Sequence, residues 1–183
     1  PVQEPARPQV TPVEPPVVRT APAAPAGTSA RPVEKPTAPP APASGLLEVI
    51  VVHLVFTQRV AGERLLDNLL QQGLRFGEMR IFHLHDQGNL LFSMANAHEP
   101  GYFNIDTMEQ DQLRAVSFFM KLPGPAEPLA ALNRMLATAQ FLARELEGEL
   151  RDENRSILTL QMMEHMRERV REFERRMRVP DGR

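Results

Sequence analysis

Ala115–Pro123 reads AVSFFMKLP, and its two faces decide how the rest of the chain is to be read. In an extended strand, successive side chains point to opposite sides. Val116, Phe118, Met120 and Leu122 then share one face, and Ala115, Ser117, Phe119 and Lys121 the other. A solvated face should be mostly charged, yet this second face carries a Phe beside small residues. The same two-sidedness recurs in three further candidate strands. The sequence therefore holds more apolar sheet surface than helices on one side would cover.

Working outward, Glu48–Phe56 (EVIVVHLVF) is rich in β-branched residues and predicts a strand. Gly62 and Glu63 open a short helix with Leu65, Leu66, Leu69 and Leu70 on one stripe. Gly73 is placed to turn the chain out of that helix. Met79–His85 (MRIFHLH) and Leu90–Ala97 (LLFSMANA) predict a hairpin around Asp86–Asn89. Arg114–Leu122 is a fourth strand, stopped by Pro123 and Pro125. Glu127–Glu147 and Thr159–Arg178 are amphipathic helices, the first with Leu129, Leu132, Leu136, Ala139, Ala143 and Leu146 on its stripe. The second carries Met163, Met166, Val170, Phe173 and Met177. Between them, Gly148–Leu158 predicts a short hairpin around Asp152–Asn154. The order β-α-β-β-β-α-β-β-α predicts an α+β fold of the split β-α-β type, an antiparallel sheet of about six strands with three helices packed mainly on one face.

Alternation divides the strand residues into two sets. Ile50, Val52, Leu54, Phe82, Leu84, Leu90, Phe92, Met94, Val116, Phe118, Met120 and Leu122 are uniformly large and apolar, and predict the core face. The other set is Val49, Val51 and His53; Met79, Ile81, His83 and His85; Leu91, Ser93, Ala95 and Ala97; Ser117, Phe119 and Lys121. Its small residues among larger ones predict a shallow trough, and an exposed apolar patch marks an interaction site. Covering about 400 Å² at about 25 cal/mol per Å² is worth on the order of 10 kcal/mol before the costs of binding. The competing expectation is a later helix laid across this second face, which would make it ordinary core.

Composition bounds the rest. The chain has 183 residues, and its first 45 hold 13 of its 18 prolines and no aromatic residue. Such a stretch cannot bury enough apolar surface to order itself, so residues 1–45 read as a disordered, partly extended spacer. Its Arg7, Arg19, Arg31 and Lys35 nearly balance Glu4, Glu14 and Glu34, unlike a basic arm for nucleic acid or membrane. Residues 46–179 suit one globular domain. Cysteine is absent, which excludes disulfide support and fits a reducing compartment. No run of about 18 apolar residues is present to span a bilayer. The chain begins at Pro1, so the native amino terminus is expected to have been removed or to lie upstream, and the domain is expected to be tethered.

Chemistry-bearing clusters are weak. His83 and His85 share a strand face at a spacing found in zinc sites, but no third ligand accompanies them. Asp152 and Glu153 with Arg151 and Arg155 read as a solvated turn. No phosphate loop, nucleophile elbow or His-Glu metal helix occurs, so neither an enzyme nor a cofactor is expected. The last helix alternates charge as a solvated face does, with some surplus of arginine.

Gln71–Gly73 followed by Phe76–His83 (FGEMRIFH), Leu91–Asn96 with Pro100–Gly101, and Phe118–Met120 with Pro123 resemble, in order, the signature blocks of the ZipA family of cell-division proteins. The resemblance covers Leu46–Met177, and the Pro-rich segment is similar to the family's linker. It implies an inner-membrane protein of Gram-negative bacteria, whose anchor would lie before this chain and whose cytoplasmic domain binds the carboxy-terminal tail peptide of FtsZ. It further implies a trough formed by Val49, Val51, Met79, Ile81, Ala95, Ala97, Ser117 and Phe119, with Glu99 at the rim. Ala97 and Glu99 stand where some relatives carry Met and Lys, which implies a wider trough and an anionic rim. Neither nucleic acid nor a small-molecule substrate is implied. From the residues alone, the alternative is a single-stranded nucleic-acid module stacking bases on the open sheet, for which one aromatic residue and a net acidic domain are poor equipment.

Overall fold

The computed structural model describes residues 47–178. The spacer expected over residues 1–45, and Val179 at the expected domain end, lie outside the described residues. Within them run β1 (Glu48–Ala61), α1 (Gly62–Gln71), β2 (Arg75–Phe76), β3 (Phe82–Asp86), β4 (Asn89–Asn96), β5 (Gln112–Leu122), α2 (Pro128–Glu145), β6 (Gly148–Arg151) and α3 (Leu160–Arg178). The strands make one antiparallel sheet in the order β2-β3-β4-β5-β1-β6. The α+β architecture is the one predicted.

The core lies on one side of this sheet. Ile50, Val52 and Leu54 of β1 and Val116, Phe118 and Met120 of β5 are all but inaccessible, as are Phe82, Phe92 and Met94. Each helix contributes its apolar stripe to that same cluster: Leu65 and Leu69 from α1, Leu132, Met135, Leu136, Ala139 and Leu142 from α2, and Met163, Met166, Val170 and Phe173 from α3. Met177 is exposed and drops out of the predicted stripe. All three helices thus serve the first face, and the expectation of a helix across the second is not met.

Helix α1 ends as its sequence predicts. Gly73 adopts φ +89°, the left-handed conformation that glycine enters without a Cβ penalty. The amide of Gly73 donates to the Leu70 carbonyl and that of Leu74 to the Leu69 carbonyl, both at 3.0 Å. This is the double bond of a Schellman stop, with Leu69 and Leu74 buried together as its apolar contact.

Four expectations need correction. First, β1 continues to Ala61; its pairing with β5 jumps from Val55–Ala115 to Val60–Leu113, so an irregularity carries the strand past Phe56. Second, Met79–His85 is not one strand. Glu78–Arg80 forms a 3₁₀ turn with Met79 at φ +56° and Arg80 at φ +59°, and pairing begins at Phe82. Third, Leu90 and Leu91 exchange roles. The ladder runs from Leu84–Phe92 to His85–Leu90, leaving Leu91 as a bulge, and an inserted residue reverses alternation beyond it. Leu90 is therefore exposed, while Leu91 packs against the core. Fourth, the hairpin predicted over Gly148–Leu158 reduces to β6 and a single bridge, Arg151–Ile157.

The start of α1 is fixed by close approach. A Cβ on Gly62 would lie 1.7 Å from the Met108 carbonyl oxygen, and the Gly62 amide donates to the Asp111 carbonyl at 2.9 Å. Gly62→Ala must push backbone against backbone. It is expected to lower unfolding free energy by about 1–3 kcal/mol, read as a lower urea midpoint at unchanged slope.

Candidate functional site

The registers lay out the uncovered face row by row, because residues directly opposite in an antiparallel pair share a side. One row runs Arg75–His83–Ser93–Phe119–Val51 across β2, β3, β4, β5 and β1. The next runs Ala95–Ser117–His53–Arg151–Ile157 from β4 to beyond β6. Val49 lies opposite Lys121 on one flank. Beyond the end of β4, the Ala97 amide donates to the Ala115 carbonyl at 3.2 Å on the other.

Val51, Ala95, Ala97, Ser117 and Phe119 are half-buried on this face, and Val49 and Glu99 are exposed. Met79 is 67 % exposed at the tip of its left-handed turn. Ile81 is the exception. At 3 % exposure it is closed to solvent, because the turn ahead of it, not a strand, sets its direction. A hollow of about 360 Å³ brings Met79 and Phe119 together with His83, Leu90, Ser93, Lys121 and the Pro123–Pro125 wall. Leu90 and the proline wall went unread as site residues, since a bulge and a post-strand turn place them, while Lys121 was read on this face but not as a site residue. A larger cleft of about 640 Å³ lies between the β3–β4 hairpin and α2. It shares only Leu91 with the smaller hollow and contains none of Val49, Val51, Met79, Ala95, Ala97, Ser117 or Phe119.

Two histidines sit on the floor, His83 engaged through both ring nitrogens and His53 through one. His83 Nδ1 is 2.7 Å from Ser93 Oγ and its Nε2 is 3.0 Å from the Glu78 carbonyl oxygen. Only Nε2–H can donate to that carbonyl, so Nδ1 accepts from the serine hydroxyl when the ring is neutral. His83 is thereby a structural brace for the Met79 turn. His53 Nδ1 lies 2.8 Å from Ser117 Oγ. Among the described residues, no group of three His, Cys, Asp or Glu side chains is arranged to hold a metal ion. Asp152, read from sequence as solvated, is 3 % exposed. Its Oδ1 accepts the amides of Asn154 and Ser156, each at 2.9 Å, so its task is to close the turn after β6.

This open face and its sheet begin at Glu48, and residues 48–169 match the family described as ZipA, C-terminal FtsZ-binding domain. The chain belongs to the ZipA family. Cell division protein ZipA of Ectopseudomonas mendocina is 50 % identical over 140 residues, covering 73 % of this chain and 51 % of that protein. Cell division protein ZipA of Pseudomonas entomophila is 50 % identical over 135 residues, covering 70 % and 46 %. The chain spans about half the length of the curated relatives it matches. Among the described residues, no helix is long and apolar enough to cross a membrane.

His53 makes the face sensitive to pH. Burial pushes its imidazole below the ordinary value, Arg155 adds to the effect, and Asp152 opposes it. The unfolded chain then binds the proton more readily, so stability falls as pH drops through about 6.5 and is intact above it. Unfolding titrations between about pH 7.5 and 5.5 are expected to show a smaller loss for His53→Gln than for the wild-type chain.

Proposed function

We propose that this chain is a cell-division adaptor whose open sheet face takes the carboxy-terminal tail peptide of FtsZ. The FtsZ-binding description of its family supports the partner. The observation that carries the site is an apolar face with all three helices packed on its opposite side. In this reading Phe119 is the anchor, Val49, Val51 and Met79 flank it, and Ala95, Ala97 and Ser117 give the peptide room. Glu99 stands at the rim. Ile81, being buried, supports the Met79 turn and makes no contact. An apolar helical or extended segment seated in such a groove gains most of its free energy from a few anchors.

The Pro-rich segment acts as a tether in this proposal, joining the domain to a membrane anchor outside this chain. A tether raises the local concentration of the domain around polymers at the membrane. Recognition by groove, tether and anchor requires no catalysis.

The test is titration of the chain with a fluorescent peptide of the FtsZ tail. Phe119→Ala is expected to weaken binding roughly tenfold or more, and Ala95→Glu to abolish it by filling the trough with a charge. Unchanged affinity in variants that keep their circular dichroism and melting cooperativity sinks the trough assignment.

A further inference from the structure

The second row of the open face does not end at the trough. From Ser117 it continues through His53 to Arg151 and reaches Ile157, which is 60 % exposed at the sheet edge. At about 4.8 Å between strands, Arg151 stands about 10 Å beyond Ser117. The face thus runs on from apolar ground into polar ground before meeting an apolar rim.

The polar ground has a definite sign. Glu149 is paired with Arg151 at 2.8 Å, and Glu153 with Arg169 at 3.2 Å. Asp152 is turned inward onto two amides. Arg155 makes no ion pair with a described residue. Its backbone lies at φ +64°, its amide donates a hydrogen bond to the Asp152 carbonyl at 2.9 Å, and its own carbonyl accepts one from Arg151 Nη1. His53 uses Nδ1 on Ser117, and its Nε2 makes no hydrogen bond with a described residue. The groups left uncommitted are therefore a guanidinium and the Nε2 edge of an imidazole, a donor in the Nε2–H tautomer and in the imidazolium, while Glu149, Asp152 and Glu153 are already engaged. An apolar occupant would cover both without satisfying either, which is costly. A carboxylate would satisfy both with charge-assisted bonds.

We propose that the segment seated in the trough continues across β1 toward β6 and places an Asp or Glu carboxylate between His53 Nε2 and the Arg155 guanidinium. This deepens, and rests on, the reading of the face as a peptide trough. The partner segment is then apolar over Phe119 and acidic over His53. Arg155 and His53 become specificity determinants, separate from the apolar anchors.

A double-mutant cycle on the full 183-residue chain tests it. The probes are the FtsZ tail peptide and copies with each Asp or Glu changed singly to Asn or Gln. Arg155→Gln is expected to weaken the native peptide roughly two- to fivefold at low salt and to leave one amide-substituted copy unaffected. A second readout is the pH trend. His53 is faced by Ser117 from β5, Arg151 from β6, and Asp152 and Arg155 from the turn. A peptide carboxylate added to that set favours the imidazolium, so binding tightens as pH falls below about 6.5, and His53→Gln removes the trend. Mere apolar cover gives the opposite slope. Equal losses for all peptides, with binding that weakens on acidification, overturn the proposal. If Phe119→Ala still weakens every peptide in that case, the trough reading survives alone. If Phe119→Ala has no effect on the folded chain, both fall together.

Discussion

The register between β1 and β5 is the constraint on which both faces depend. Ile50 opposite Met120, Val52 opposite Phe118 and Leu54 opposite Val116 place six apolar side chains in the core. The intervening pairs, Val51 with Phe119 and His53 with Ser117, then have to face the other way. A slip of β5 by one residue would bury Ser117 and Lys121 and expose Phe118 and Met120, so the core strongly selects the observed pairing. The open face is consequently positioned by residues on the other side of the sheet. No separate loop is needed to hold Phe119 beside Val51, because the ladder that fills the core already does so.

Alternation along the sequence was a reliable guide wherever that ladder is regular. It separates the faces of β1 and β5, and it groups Val49, Val51, Ser117, Phe119, Ala95 and Ala97 on one of them. It failed where one residue breaks the count. Leu90 and Leu91 look equivalent in sequence, and only the bulge opposite Leu84–His85 decides that Leu91 packs inward. Met79 and Arg80 are harder still. Non-glycine residues in the left-handed region cost about 1–3 kcal/mol each, and neither carries the Gly or Asn signal that betrays such a turn. Tertiary contacts hold them there: the Phe103 amide donates to the Arg80 carbonyl at 2.8 Å, and the Arg80 guanidinium stacks 4.2 Å from the Tyr102 ring centroid. Both partners come from the long connection after β4, which has no periodicity to read. Asp152 escaped for a similar reason, since nothing local distinguishes a buried cap from a solvated acid.

The arginines of α3 show why charge counts need geometry. Arg167 and Arg171 both pair with Glu164, and Arg175 with Glu172, within the helix itself. Arg169 and Arg176 reach across to Glu48 at the start of β1, and Arg169 also to Glu153. Exposed pairs of this kind are worth about 0–1 kcal/mol each, so they do not hold the helix down. Val170 and Phe173 do that from the buried side. What the pairs do is occupy the cations, and the basic stripe that a nucleic-acid surface needs is not assembled. With Phe119 the one phenyl ring in the two mapped rows, the stacking platform is missing as well.

The edges favour the face over strand addition in the proposed recognition. A peptide can join a sheet by adding a strand, but that mode needs an exposed edge long enough for several main-chain hydrogen bonds. Here one edge is β2, two residues long. The other is β6, four residues long, and the chain returning from it bridges back at Ile157. Short edges protect against unwanted pairing, and they leave an incoming segment little backbone to bond. The face offers the reverse: half-buried apolar side chains, small residues that leave space, and serines already hydrogen-bonded to histidines. A ligand settling there covers apolar surface without stranding the floor's hydroxyls. Met79, unbranched and two-thirds exposed, can reshape its side chain around whatever arrives, so a rigid ladder and one adaptable side chain together define the trough.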